Sequence, residues 1–251
     1  LAEGWLVLFD LRATTEWETR LYTRAETVGG AARSPGGVLS IQGRGQRLRG
    51  TMASTRSAGG DRCRRSAWLV FASISGMEED SLRTLSVLTT WLGVHHAHVN
   101  ADRLVRRVHE QPSARVRAYQ AAVARWLHKD RRFVRLEGLY DGPPVELLAV
   151  GTGFQIERRG EDGRFVGSKL RVPRGTLRDR AADVPAPEVL VRRRAGYHNR
   201  VLMGPSFRAD VWTVLQKSPA LSVADVARRA GGSFATAWQA VQDFKLLRAA
   251  S

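Results

Sequence analysis

The residues of this chain that are best suited to recognition chemistry lie in "SVADVARRAGGSFATAWQAVQDF", residues 222–244. The stretch has the layout of a helix, a glycine turn and a second helix, and in a DNA-binding protein that second helix lies in the major groove. From Ser233 to Phe244 it contains no Arg or Lys, but it does contain glutamine and aromatic residues. Glutamine can form two hydrogen bonds with adenine, and phenylalanine can contact the thymine methyl group. These residues therefore allow direct readout of bases without positive charge.

Capping residues and apolar spacing predict the three helices that position this stretch. Ser222 can cap the middle helix, and Asp225 three residues later completes a capping box. Gly231 stands where a left-handed turn residue is needed, and Ser233 can cap the last helix. The predicted buried positions are Phe207, Val211, Val214 and Leu215 in the first helix, Val226 and Ala227 in the middle helix, and Ala237, Val241 and Phe244 in the last helix.

The stretch "LSVADVARRAGGSFATAWQAV" resembles the helix-turn-helix of bacterial winged-helix regulators. The shared features are an alanine in the middle helix, a glycine turn and a Ser-capped last helix with a central Thr. The match covers roughly residues 202–247. The resemblance implies that the last helix binds double-stranded DNA through its N-terminal residues. On this sequence those positions are Ser233, Phe234, Thr236, Trp238 and Gln239, with Gln242 beyond them. The implied phosphate contacts around the helix are Arg228, Arg229, Lys245 and Arg248.

The same helix face also fits a protein partner or a homodimer. Phe234 and Trp238 are one turn apart on its exposed side, and aromatic side chains are frequent anchors of protein interfaces. The chain is basic and joins a helix-turn-helix unit to a mixed helical and strand domain. In this it resembles, more loosely, the antitoxins of abortive-infection, type IV toxin–antitoxin systems. That resemblance implies promoter binding and an opposing nucleotidyltransferase toxin. Those antitoxins carry the DNA-binding unit at the N-terminus, whereas here it is C-terminal.

The charge of the chain favours a polyanionic partner. There are 40 Lys and Arg residues against 24 Asp and Glu, which gives a net charge of +16. An excess of this size most often indicates nucleic acid. The alternative interpretation is that the excess of Arg over Lys reflects a GC-rich genome rather than selection for charge.

Other functional classes have little support in the sequence. Cys63 is the only cysteine, which excludes an internal disulfide and a cysteine-based zinc site and fits a reducing cytoplasm. No apolar run approaches the length of a membrane span, so a membrane partner is not expected. The best metal candidate, "HHAH" at 95–98, has no nearby carboxylate or cysteine and is interpreted as a solvated turn. No catalytic grouping or cofactor motif stands out, so we expect neither an enzyme nor a cofactor.

The middle of the chain combines amphipathic helices with candidate strands. Ser81, Asn100 and Ser113 are the predicted caps of three helices. The probable strands lie near 132–137, 145–150, 154–159 and 164–172, the last two forming a hairpin around "GEDG". Two interpretations remain open: a winged-helix-like unit with an Arg-rich third helix, or an α+β scaffold with a solvated basic face. In the first, the DNA contacts are Arg115, Arg117, Arg125 and Lys129.

The N-terminal residues 1–76 mix Gly, Ser and Arg without helical or strand periodicity. We expect a poorly ordered extension, with Met77 as a natural start; the alternative is a disordered basic arm that binds phosphates. Its two short apolar segments, "WLVLFDL" and "AWLVFASI", could be strands. The predicted fold class is α+β. We expect a helix-plus-hairpin domain (77–172), a linker (173–199) and a helix-turn-helix domain (200–251). The expected function is that of a cytoplasmic, DNA-binding regulator of transcription.

Overall fold

The computed structural model describes residues 64–250, and in this range the chain is mostly helical. The helices are α1 (Arg64–Glu78), α2 (Leu82–His95), α3 (Ala101–His109), α4 (Ala114–Trp126), α5 (Val134–Glu137), α6 (Thr152–Arg159), α7 (Pro187–Arg193), α8 (Ala195–Met203), α9 (Phe207–Lys217), α10 (Val223–Ala230) and α11 (Phe234–Ala249). The strands are β1 (Val145–Glu146) and β2 (Leu170–Arg171). The described residues belong to one compact unit.

The larger apolar core is built around α4. Every residue of this helix from Ala118 to Ala124 is buried, because α1, α3 and α5 all pack against it. Two polar side chains in this core have partners: the Tyr119 hydroxyl lies 2.9 Å from Thr89 Oγ1, and Gln120 Nε2 donates to Ser73 Oγ at 2.9 Å. Buried hydroxyl and amide groups need such partners, because leaving one unpaired costs about 1–3 kcal/mol. Burial also raises the pKa of the Tyr119 hydroxyl.

Helix α1 contributes directly to this core. Leu69, Val70 and Met77 are buried in it, and α1 packs against α2 so closely that a Cβ at Gly76 would lie 2.3 Å from Leu85 Cγ. The strand interpretation of "AWLVFASI" is therefore wrong, because this segment buries a helical stripe rather than alternate residues. Leu69, Val70 and Ala72 belong to the segment expected to lie in an extension outside the core, yet they are part of the core. The expectation for 1–63 lies outside the described residues.

The predicted hairpin does not form in the described part of the chain. Residues 152–159 are helical, and β2 pairs with β1 in parallel, with Val145 opposite Leu170 and Glu146 opposite Arg171. Residues 131–137 form a short 3₁₀ turn and α5 instead of a strand. The observed class is α-rich, with a two-stranded parallel sheet as the only sheet among residues 64–250. A winged-helix arrangement is not observed for residues 77–172.

The segment predicted as a linker contains α7 and the start of α8. Pro187 does not interrupt a helix here, because it occupies the first helical turn of α7, where its missing N–H is not needed. Tyr197 of α8 is buried, and α8 packs against both α7 and α9. The domain boundaries themselves remain a prediction.

The smaller apolar core lies among α9, α10 and α11, which we call the three-helix unit. Its buried residues are Val211, Leu215, Val226, Ala227, Ala230, Ala237, Ala240 and Val241. The predicted helices and turn of this unit are confirmed. The indole of Trp212 on α9 also meets the ring of Phe244 edge to face at 5.1 Å. Within residues 64–250, no helix has the length and apolarity to cross a membrane.

Candidate nucleic-acid interface

The turn that sets the direction of α11 follows from two adjacent glycines. Gly231 has a φ of 73°, a left-handed conformation that favours glycine, and its N–H donates to Ala227 O at 2.8 Å. A Cβ at Gly232 would lie 3.3 Å from Phe207 Cβ, so a side chain here would crowd α9. The glycine pair therefore closes α10 and lets the chain pass close to α9 before α11 begins.

Both predicted caps form, with one change of partner. Ser222 Oγ accepts from the Asp225 N–H at 3.1 Å, as predicted. The Asp225 carboxylate accepts from the Ser222 hydroxyl at 2.7 Å, whereas in a capping box it would accept from the Ser222 N–H. Ser233 Oγ accepts from the Thr236 N–H at 3.1 Å, and the Ser233 and Thr236 hydroxyls lie 2.9 Å apart. These two hydroxyls thus stabilise the start of α11.

From Phe234 to Gln242 the outer side of α11 is largely exposed and carries no charged residue. Its inner side buries Ala237, Ala240 and Val241, whereas Phe234 and Trp238 remain 58% and 49% exposed. Gln239 is exposed, Gln242 is half-buried, and Leu246 near the end of the helix is exposed. The structure therefore places the predicted readout positions along one helix whose outer side faces solvent.

The basic residues predicted around α11 lie at the ends of two helices. Arg228 and Arg229 are in the last turn of α10, where Arg228 Nη2 lies 2.8 Å from Asp225 Oδ1 and stays largely exposed, while Arg229 is half-buried. Lys245 and Arg248 are exposed on the last turns of α11. Within the described part of the chain, neither of these last two residues has an acidic partner.

The second predicted basic group, on α4, has a different environment. Arg115 lies 3.2 Å from Asp80 Oδ1 and donates to Leu147 O, and Arg125 lies 3.0 Å from Glu137 Oε1. Arg117 is half-buried, and Lys129 lies beyond the end of the helix. Since α4 is buried along most of its length, it cannot enter a groove. The structure does not favour the Arg-rich α4 as a reading helix.

Sequence reasoning missed two arginines that contact the glycine turn or α11. Arg106 of α3 donates to Gly231 O at 2.7 Å, and its guanidinium lies 5.3 Å from the centre of the Phe207 ring. Arg208 of α9 lies 2.9 Å from Asp243 Oδ2 on α11. No local pattern marks either residue, because each contact joins segments that are distant in sequence.

A buried ionic network attaches the three-helix unit to α3 and α8. Asp210 Oδ1 accepts from Arg200 Nε and Nη2 at 3.0 and 2.7 Å, and Oδ2 accepts from Arg103 Nη1 at 3.2 Å. Asn100 Nδ2 also donates to Oδ2 at 3.1 Å, while its Oδ1 caps α3 as predicted. One carboxylate thus joins three helices through four hydrogen bonds.

A second junction is formed by the first histidine of "HHAH". His95 is fully buried, with Nε2 3.0 Å from Pro185 O and Nδ1 2.8 Å from the Tyr197 hydroxyl. Because a carbonyl only accepts, Nε2 carries the proton and Nδ1 accepts from Tyr197. Burial lowers the pKa of His95 and raises that of Tyr197 to about 12. The interpretation of this segment as a solvated turn is wrong for His95.

The neighbouring histidines do not form a metal site with it. His96 Nδ1 lies 3.2 Å from Gly93 O, and the His98 ring packs against the Tyr197 ring at 5.0 Å. Burial, followed by nearby Arg132, lowers the pKa of His98. Across residues 64–250, no group of three or more His, Cys, Asp or Glu side chains is placed to hold a metal ion.

Comparison of the chain with protein-family models, with curated proteins and with solved structures finds no match. The features that point to a function are therefore the geometry and chemistry of the three-helix unit.

Proposed function

We propose that the chain binds double-stranded DNA by placing α11 in the major groove, as a helix-turn-helix regulator of transcription. The observation that carries the proposal is the exposed outer side of α11, uncharged from Phe234 to Gln242, on a firmly capped three-helix unit. A helix of this width fits the major groove, where the donors and acceptors of each base pair are distinct. Gln239 and Gln242 can then pair with adenine, and Phe234 can contact a thymine methyl group.

The basic residues around α11 supply the phosphate contacts in this proposal. Arg228 and Arg229 lie before α11, Lys245 and Arg248 lie at its end, and Arg106 lies beside the turn. Contacts with phosphate hold the protein on the duplex, whereas contacts with base edges select the sequence. The net charge of +16 supports the same partner, because much of the affinity for DNA comes from the release of counterions.

A second candidate function is binding of a protein through the same face, as an antitoxin or adaptor. The observation that favours it is the exposure of Phe234, Trp238 and Leu246 on one helix. Aromatic residues that become fully covered are frequent hot spots of protein interfaces. In that case Trp238→Ala abolishes capture of the partner, while DNA affinity changes little.

The two functions are separated by selecting preferred duplexes from a randomised pool with the full chain. Gln239→Ala should then relax base preference at one position, with a loss of about 1–3 kcal/mol for the preferred duplex relative to its variants. Gln155→Ala, on α6 outside the three-helix unit, is the matched control and should leave the preference unchanged. If Gln239→Ala retains full base preference, α11 is not the reading helix.

A further inference from the structure

The amide of Gln239 has an acidic hydrogen-bond partner on the same helix. Gln239 Nε2 lies 3.4 Å from Asp243 Oδ1, one turn later on α11. Asp243 is half-buried and is held by Arg208 of α9, whose Nη2 lies 2.9 Å from its other oxygen. We propose that Asp243, fixed by Arg208, orients Gln239 so that it selects adenine over guanine. This inference rests on the proposed function.

The selectivity follows from the donors and acceptors of the amide. A carboxylate only accepts, so the end of Gln239 that faces Asp243 is the NH₂ group. One N–H is held by Asp243, which leaves one N–H donor and the Oε1 acceptor for the base. Adenine presents an acceptor, N7, beside a donor, N6, in the major groove, and this pair matches.

Guanine presents a different pair to the same side chain. Its major-groove edge has two acceptors, O6 and N7, so a bidentate contact would need both N–H groups of Gln239. One of them is already held by Asp243. Turning the amide over would free the NH₂ group but bring Oε1 against the carboxylate, and two acceptors repel each other. Asp243 therefore acts as a positioning residue for Gln239.

The role of Arg208 is to keep Asp243 in place and to offset its charge. A carboxylate on the side of a reading helix repels the phosphates that line the groove. The Arg208 guanidinium reduces this repulsion and ties the position of Asp243 to α9. The ion pair thus lets an acidic residue lie beside the DNA without preventing binding.

The test compares two sets of duplexes that differ only at the base pair read by Gln239, adenine in one and guanine in the other. That position is the one at which Gln239→Ala loses its preference. Asp243→Asn should lower the ratio of affinities for adenine over guanine by about fivefold or more. An asparagine side chain can accept from the Gln239 NH₂ group or donate to its Oε1, so it no longer selects one orientation of the Gln239 amide. Asp243→Glu, which still accepts, should keep the ratio within about twofold.

A purely structural role of Asp243 gives a different result. If the substitution only weakened α11, affinity would fall for every duplex in parallel and the adenine-over-guanine ratio would stay unchanged. Binding to a random duplex is therefore measured for each variant as well. Arg208→Gln keeps the Asp243 side chain but releases it, and should reduce the ratio by less than Asp243→Asn. A ratio unchanged in both variants overturns the role of Asp243 while leaving the proposed function intact. Unchanged base preference in Gln239→Ala overturns both.

Discussion

Asp210→Asn removes the charge at the centre of the network that joins α3, α8 and α9. The side chains of Asp210, Arg103 and Arg200 are only 7%, 8% and 10% exposed. The substitution leaves two buried guanidinium groups facing a neutral amide. Removing the carboxylate of a buried ion pair costs about 3–5 kcal/mol, because the buried cation then loses the charge that offset its desolvation. We expect the free energy of unfolding to fall by this amount.

The assay is urea unfolding of the full chain at neutral pH, followed by circular dichroism. With a denaturant dependence of about 1–3 kcal/mol/M, the unfolding midpoint should fall by about 1 M or more. The matched control is Asp102→Asn, because the ion pair of Asp102 with Arg135 is 65% and 70% exposed. Exposed pairs are worth about 0–1 kcal/mol. Equal losses in the two variants would refute the argument that burial of the network attaches the three-helix unit.

Three further predictions concern the pH dependence, the core and the phosphate contacts. Since burial lowers the pKa of His95, the unfolded chain binds a proton there more readily than the folded chain. The stability that this neutral histidine contributes above about pH 6.5 should therefore be lost as the pH falls through its folded-state pKa. In urea unfolding at several pH values, His95→Gln should flatten this dependence, whereas His109→Gln, at an exposed site, should not. Leu69→Ala, at a buried site of α1, should cost about 2–5 kcal/mol by thermal or urea unfolding. Exposed Val150→Ala should stay within about 0.5 kcal/mol, and an equally small loss in Leu69→Ala would place α1 outside the core. Arg228→Ala should weaken binding to all duplexes alike and make the log–log salt slope shallower by about one, whereas a loss confined to the selected duplex would contradict a phosphate contact.

Local signals were sufficient for most of the helices. Asn100, Ser113, Ser222 and Ser233 were predicted as caps and each accepts the expected backbone hydrogen bond. Ser81 lies at the predicted start of α2, but its hydroxyl contacts Thr84 Oγ1 rather than a backbone N–H. A cap is readable from sequence because its donor and acceptor are three residues apart or fewer.

The errors occurred where tertiary contacts override the local pattern. The segment in α1 reads as a strand because its aromatic and β-branched residues favour strands, yet helical burial against α2 and α4 decides its conformation. Residues 154–159 also look extended, but Gly151, with a φ of 82°, starts a helix just before them. The network at Asp210 joins residues about a hundred positions apart, and no pattern in one sequence indicates such a pair.

Disulfide trapping tests most directly whether α11 enters the major groove. In a Cys63→Ser background, which has no other cysteine, Gln239→Cys is incubated with a selected duplex that carries a thiol tether on a major-groove adenine. Val150→Cys, exposed and outside the three-helix unit, is the control. We expect rapid trapping of the duplex by Gln239→Cys and background trapping by Val150→Cys. Equal trapping by the two variants, with the duplex still bound, would contradict a major-groove position for α11.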